Sequence, residues 1–231
     1  MKTYLCTSLL FAGVLASSQA GIFDIQYPVL SGLVPDGDLN GRVDVRTIAG
    51  VSGKITDVVV FLDLEGTGLD GGWNGDLYAS LQHESALSIL LNRPGRESGD
   101  EYGSSGNGIQ IALQDNAANG DVHFVPDGDT TLLGTWVPDG RNVSPVASPS
   151  EFDSASRSSL LGNFNGLPVN GDWTLLVIDA SSGGQVELKE WGLRISYEPN
   201  PIVTPPIVPE GSSWWIMGGT LLLVALRGVK H

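Results

Sequence analysis

Apolar residues recur along this chain at every second position, in short runs broken by turn residues. In Arg42–Ile48 the alternating set is Val43, Val45 and Thr47; in Leu77–His83 it is Leu77, Ala79 and Leu81; in Ile109–Leu113 it is Ile109, Ile111 and Leu113. A period of two sends successive side chains to opposite faces of a strand, so each run predicts a strand with its apolar set on a core and the other set in water. Gly171–Asp179 and residues 185–196 predict a closing pair, the second with Trp191, Leu193 and Ile195 alternating with Gly192, Arg194 and Ser196. Residues 58–62, Val-Val-Val-Phe-Leu, are apolar without a break and predict a more buried central strand; residues 87–91 predict a shorter counterpart and 131–137 one more. The 31 glycines and 13 prolines scattered between these runs disfavour long helices and favour many turns. The expectation is an all-β fold, an antiparallel jelly-roll sandwich of about eight strands.

The two ends break this pattern. Lys2, the apolar stretch 5–15 and Ser18-Gln19-Ala20 read as a secretory signal cleaved after Ala20, leaving Gly21 as the mature start. The single cysteine, Cys6, lies in that removed segment, which excludes disulfides, cysteine catalysis and thiolate metal sites from the mature chain. Residues 199–209 form a proline-rich linker. Residues 214–226 are apolar except for Thr220 and are followed by Arg227 and Lys230. As a helix they span about 20 Å, short of the ~30 Å hydrocarbon core, so alone they make a marginal membrane span. The expected organisation is a signal helix over 1–20, a sandwich over 21–198, the linker, and a sorting or anchoring tail over 210–231 containing a short hydrophobic helix.

Charge narrows the choice of partner. Twenty-six acidic residues against 12 Lys and Arg give a formal net charge of −14, which argues against nucleic acid, whose phosphates need clustered cations. The excess acid serves either a solvated surface or cation binding.

Several motifs stand in an order that resembles the proprotein-convertase P domain, also called the P/Homo B domain. These are Val34-Pro35-Asp36 before Gly41-Arg42-Val43, the strand opened by Gly75-Asp76-Leu77, the turn Asn92-Arg93-Pro94-Gly95, and Gly134-Thr135-Trp136-Val137-Pro138. Leu161 to Gly166, Gly171-Asp172-Trp173-Thr174-Leu175 ending at Asp179, and Leu188 to Ile195 complete the series. The likeness covers roughly residues 27–198. It departs at Asp63-Leu64-Glu65, where many family members carry a histidine, and in the expanded stretches 116–131 and 141–158. The resemblance implies a galactose-binding-like sandwich without catalytic residues, an accessory to a subtilisin-like serine endopeptidase. No protease precedes it in this sequence, so it implies a binding or structural module. The tail is similar to PEP-CTERM sorting tails through Val208, Pro209, Glu210 and Gly211, with Gly211 in place of the second proline. That likeness implies an exosortase-type processing enzyme as partner and retention at the bacterial envelope.

Candidate chemistry is sparse. His83, His123 and the terminal His231 lie in no hydrolase motif; His83 reads as a strand-edge residue and His123 as a loop residue beside Asp121. Asp36, Asp38 and Asn40-Gly41 resemble the start of a calcium loop, but Thr47 stands where a bidentate Glu belongs. Asp76, Asp115 and Asp179 sit near strand ends, where they either join such a calcium site or bind turn amides. Trp73, between glycines, is the candidate ligand contact, stacking on a sugar or a partner; Trp136, Trp173 and Trp191 read as core. The expected function is that of an exported, non-catalytic module with calcium as its candidate cofactor. The alternatives are an accessory to a separate secreted protease and a carbohydrate-binding module.

Overall fold

The computed structural model describes residues 19–29, 32–67, 71–126, 128 and 130–201. The proposed signal helix, the tail and Val208 to Gly211 lie outside the described residues. Among the described residues, ten strands form two sheets. One sheet follows the order β1 (Gly21–Pro28), β10 (Gln185–Pro199), β4 (Gly53–Thr67), β7 (Ile109–Leu113) and β8 (Leu132–Trp136), with β2 (Leu33–Val34) pairing on β10. The other follows β3 (Arg42–Ile48), β9 (Gly171–Asp179), β5 (Leu77–His83) and β6 (Ala86–Asn92). All pairings are antiparallel except β7 with β8, which run parallel, so the all-β expectation holds while the all-antiparallel one does not.

Both inner faces are apolar. Val58, Val60, Leu62 and Leu64 of β4 and Leu193 and Ile195 of β10 meet Ala79 and Leu81 of β5 and Trp173, Leu175 and Val177 of β9, all buried. Removing this much apolar surface from water is the main stabilising term of such a sandwich. β4 is not buried on both faces as its unbroken apolar run predicts. Val59 and Phe61 point outward and are half-buried, alternating with the fully buried set.

β3 has the expected limits and the opposite facing. Val43 and Val45 are exposed at 58% and 50%, while Asp44 and Arg46 turn toward the sheet rim. There the Trp191 indole Nε1 donates to Asp44 Oδ1 at 2.9 Å, and Arg46 pairs with Asp44 at 2.7 Å. Charge turned inward on an edge strand also discourages pairing with another sheet. His83, expected at a strand edge, is buried. Its ring stacks on Trp173 at 4.0 Å, and its nitrogens engage the Asp172 and Pro168 carbonyls. Trp173 and Trp191 are core as expected; Trp136 is half-buried.

The edge of β6 is covered rather than open. Ile89 N–H donates to Ser159 O, and the Asp139 and Gly140 amides donate to Leu90 O and Ile89 O. The excursion that does this contains a short helix, α1 (Pro149–Ser154), closed by a Ser148–Glu151 capping box. A buried ion network pins it. His123 Nδ1 meets Asp139 at 2.8 Å, Arg141 meets Asp121 at 2.8 Å, and Arg157 meets Asp121 at 3.2 Å.

Register defines two ends of the sandwich. At one, Gly21 pairs with Tyr197 and Gly53 with Pro199. At the other, Gln185 pairs with Thr67 and Leu77 with Asp179.

Candidate functional site: an acidic cluster at the Asp179 end

Three of the five aspartates picked from sequence gather at the second end. Asp179 is the last residue of β9 and pairs with Leu77, so Asp76 follows directly beyond that rung. Asp36 arrives on the turn between β2 and β3. Gly41, at φ +58, lets that turn seat against the Val177 carbonyl oxygen at a distance no Cβ permits. The Gly183 amide then donates to Asp36 Oδ1 at 3.2 Å.

Arg93 is the cation among them. It adopts φ 51, unusual for a residue with a side chain, and its amide donates to Leu77 O. Its Nη2 donates to Asp76 Oδ1 at 2.8 Å and its Nε to the Gly75 carbonyl. Asp76, Arg93 and Asp179 are all buried, whereas Asp36 is exposed.

The charges do not balance: three carboxylates share the Arg93 guanidinium and the weaker field of Arg96. Asp179 bears the consequence, its pKa pushed up to about 7 by burial first and then by the negative charge of Asp76 and Asp36. Burial also raises Asp76, although Arg93 and the Ser181 hydroxyl oppose it, and burial lowers Arg93. Asp179 is 3% exposed, yet its Oδ1 has no hydrogen-bond partner. A buried, unpartnered carboxylate oxygen is costly unless a proton or a cation reaches it.

The free donors of the cluster are oxygens, the ligand type that a hard divalent cation takes. Among the described residues, no three carboxylate or imidazole side chains are gathered closely enough to hold a metal ion by themselves. Hydroxyl, carbonyl or water oxygens would have to complete the shell.

The other two aspartates are elsewhere. Asp38 is exposed and accepts from the Asn40 backbone and side-chain nitrogens, both at 2.9 Å. Asp115 lies beyond the Leu113 end of β7. It accepts the Leu161 and Gly162 amides at 3.0 and 2.7 Å, closing the turn of Leu161–Phe164. Its role is to bind turn amides. Trp73 is 46% exposed and its backbone bridges to Asn107. Arg93 was not among the sequence candidates. The signal for it was an arginine in a Pro-Gly turn directly after a strand.

Neither described histidine of the folded unit has a free ring nitrogen. His83 is engaged by two carbonyls, and His123 by Asp139 at 2.8 Å and the Arg96 carbonyl at 3.0 Å.

No protein-family model matches the chain, and no curated protein matches it in sequence. Among solved structures, the complex of Aeromonas sobria serine protease with its chaperone ORF2 is similar over 79% of this chain and 28% of that one, at a TM-score of 0.44 and 13% identity. The serine protease of Aeromonas sobria alone is similar over 78% and 27%, at a TM-score of 0.43 and 14% identity. The chain thus spans under a third of the length of these solved chains.

Proposed function

We propose that this chain is an exported, non-catalytic binding module of the jelly-roll type, tethered at the cell envelope by its C-terminal tail. One observation supports this above others. The first strand begins at Gly21, the residue that follows the expected cleavage site, and pairs there with Tyr197, as expected of a chain cut after Ala20. Asp36, Asp76 and Asp179 lie at the opposite end, the length of β10 away, about 45 Å at ~3.3 Å per residue. The doubly engaged histidines support a non-catalytic reading, because a triad base needs one nitrogen facing the nucleophile.

Calcium enters through Asp179. A divalent cation there supplies positive charge to its unpartnered oxygen and offsets the excess of Asp36 and Asp76; those three residues and the Ser181 hydroxyl are the groups that would hold it.

Mass spectrometry of both ends of the protein recovered from envelope fractions tests the tether, with a mature start at Gly21 and a processed or membrane-retained tail expected. Uncleaved protein in the cytoplasm would overturn it. Millimolar calcium added to metal-free protein should raise the melting temperature; an unchanged melt removes the cation from the reading. Co-purification with a secreted protease that loses stability without this chain would replace the reading with that of a protease accessory.

A further inference from the structure

We infer that Asn119 is a site of spontaneous covalent modification in the folded protein: its side-chain amide is converted to an acid through the Gly120 nitrogen, and the isoaspartate so formed loosens the strap of residues 120–122 on the end of β8. An asparagine followed by glycine is open to this chemistry because glycine has no Cβ to hinder its backbone. The glycine nitrogen loses its proton and attacks the asparagine Cγ, forming a new C–N bond. The bond from Cγ to the side-chain nitrogen then breaks, and ammonia leaves with that proton. Water opens the resulting cyclic imide at either carbonyl, giving aspartate or isoaspartate. Only water is consumed, and no oxidant or cofactor is needed.

Six Asn-Gly steps occur among the described residues, and the fold holds five of them. The Gly41, Gly75 and Gly166 amides donate to the Asp38, Ser104 and Ile55 carbonyls at 2.9, 2.9 and 2.8 Å. The Gly108 amide donates to Asn74 Oδ1 at 3.0 Å. At the fifth, Asn170 Oδ1 accepts the Val51 amide at 2.9 Å, and Gly171 is paired with Ile48 as the first residue of β9. Attack at any of these requires local opening first, which slows it by the cost of that opening.

Asn119-Gly120 differs. Asn119 is exposed, and no hydrogen bond from the described residues holds its side-chain amide. It is the third residue of the turn Ala117–Gly120. The closing bond of that turn, from the Gly120 amide to Ala117 O, is 3.3 Å long, beyond the usual reach of about 2.7–3.2 Å. No atom lies within 4 Å of the place of a Gly120 Cβ, and a Cβ at Gly134 would come within 3.1 Å of Asn119 Nδ2. Both glycines therefore leave the Asn119 amide room to swing.

The product falls beside a structural strap. Gly120 O accepts the Val137 amide at 2.7 Å, and the Val122 amide donates to Val137 O at 2.9 Å. Asp121 between them binds Arg141 and Arg157. Isoaspartate routes the main chain through Cγ and inserts a methylene before Gly120, which displaces Gly120 O from Val137. Aspartate adds only an exposed charge.

Ageing the purified protein at pH 8, well below its melting temperature and in parallel in urea, tests this. Peptide mass mapping reads the amide-to-acid mass gain at each asparagine; isomerisation at Asp-Gly steps changes no mass and does not register. In the folded sample Asn119 should convert about tenfold or more faster than each of the other five, and in urea all six should convert at similar rates. Asn119→Gln, at an exposed position, should remove the fast conversion. The isolated isoaspartate form should melt about 2–4 °C below fresh protein, the loss of one hydrogen bond, whereas Asn119→Asp should melt as wild type. Equal conversion at all six steps in the folded protein, faster conversion at Asn165, or protection of Asn119 to the level of the others would overturn the site. An isoaspartate form that melts as fresh protein would overturn the loosened strap. Neither result bears on the tether or on the calcium melt.

Discussion

Replacing Asp179 by Asn converts a pH-dependent cost of the fold into a constant one. In the unfolded chain this carboxyl releases its proton near its ordinary value of 3.8; in the folded chain it does so at about 7. Between those values the native state holds more protons than the unfolded state, so stability falls as pH rises through the window and stays at the lower level above it. A gap of about 3 pH units at ~1.36 kcal/mol each amounts to about 4 kcal/mol. Asparagine has no proton to lose. Without divalent cations the variant should lie within about 1 kcal/mol of wild type at pH 4 and exceed it by about 4 kcal/mol at pH 8. For a domain of this size that is roughly 8–16 °C in melting temperature. Circular-dichroism melts of both proteins from pH 4 to 9 in a chelator read the difference directly. Millimolar calcium at pH 8 should then close the gap by raising wild type alone. Parallel melting-temperature curves across the whole range would refute the reasoning, because they would mean that Asp179 ionises without cost.

Two further substitutions separate the groups around it. Arg93→Met leaves the buried Asp76 carboxylate without its guanidinium; urea titration at pH 7 should show a loss of about 3–5 kcal/mol. The loss should shrink in acid, where Asp76, its pKa raised by burial, takes up a proton. Asp115→Ala removes the acceptor of the Leu161 and Gly162 amides and should cost about 1 kcal/mol in the same titration. Its calcium response should match wild type, whereas that of Asp179→Asn should vanish; a lost response in Asp115→Ala would return that residue to the cation site.

Alternation made the strands legible, and it did so without revealing the direction in which each one faces. β3, β5 and β7 begin and end where the pattern predicts because polarity there switches at every residue. For β3 the facing is inverted. Val43 and Val45 carry the apolar signal, but Asp44 is held inward by the Trp191 indole, 147 positions away in sequence. A strand whose two sets are one aliphatic and one charged has two plausible facings, and a single tertiary hydrogen bond selects between them. β1 went unread although Phe23 and Ile25 alternate with Asp24 and Gln26, because a run that begins at a cleavage site looks like the start of a tail.

The acidic cluster follows the same logic at the level of charge. That Asp76 and Asp179 sit at strand ends is local information; that they adjoin is a matter of register, and register depends on how β5 and β9 pair across a hundred residues. Asp36, Asp38 and Asp115 looked equivalent to them because an aspartate in a turn has one local signature whether it binds an amide or faces another carboxylate. What separates the two cases is the supply of donors. Asp115 has two amides and Asp38 has Asn40, whereas Asp179 has only the Ser181 amide and nothing on Oδ1. Arg93, the cation that acts on Asp179, is already paired with Asp76. An unsatisfied oxygen is a property of the assembled fold, and here it falls on the one aspartate that burial and two like charges together keep protonated up to about pH 7.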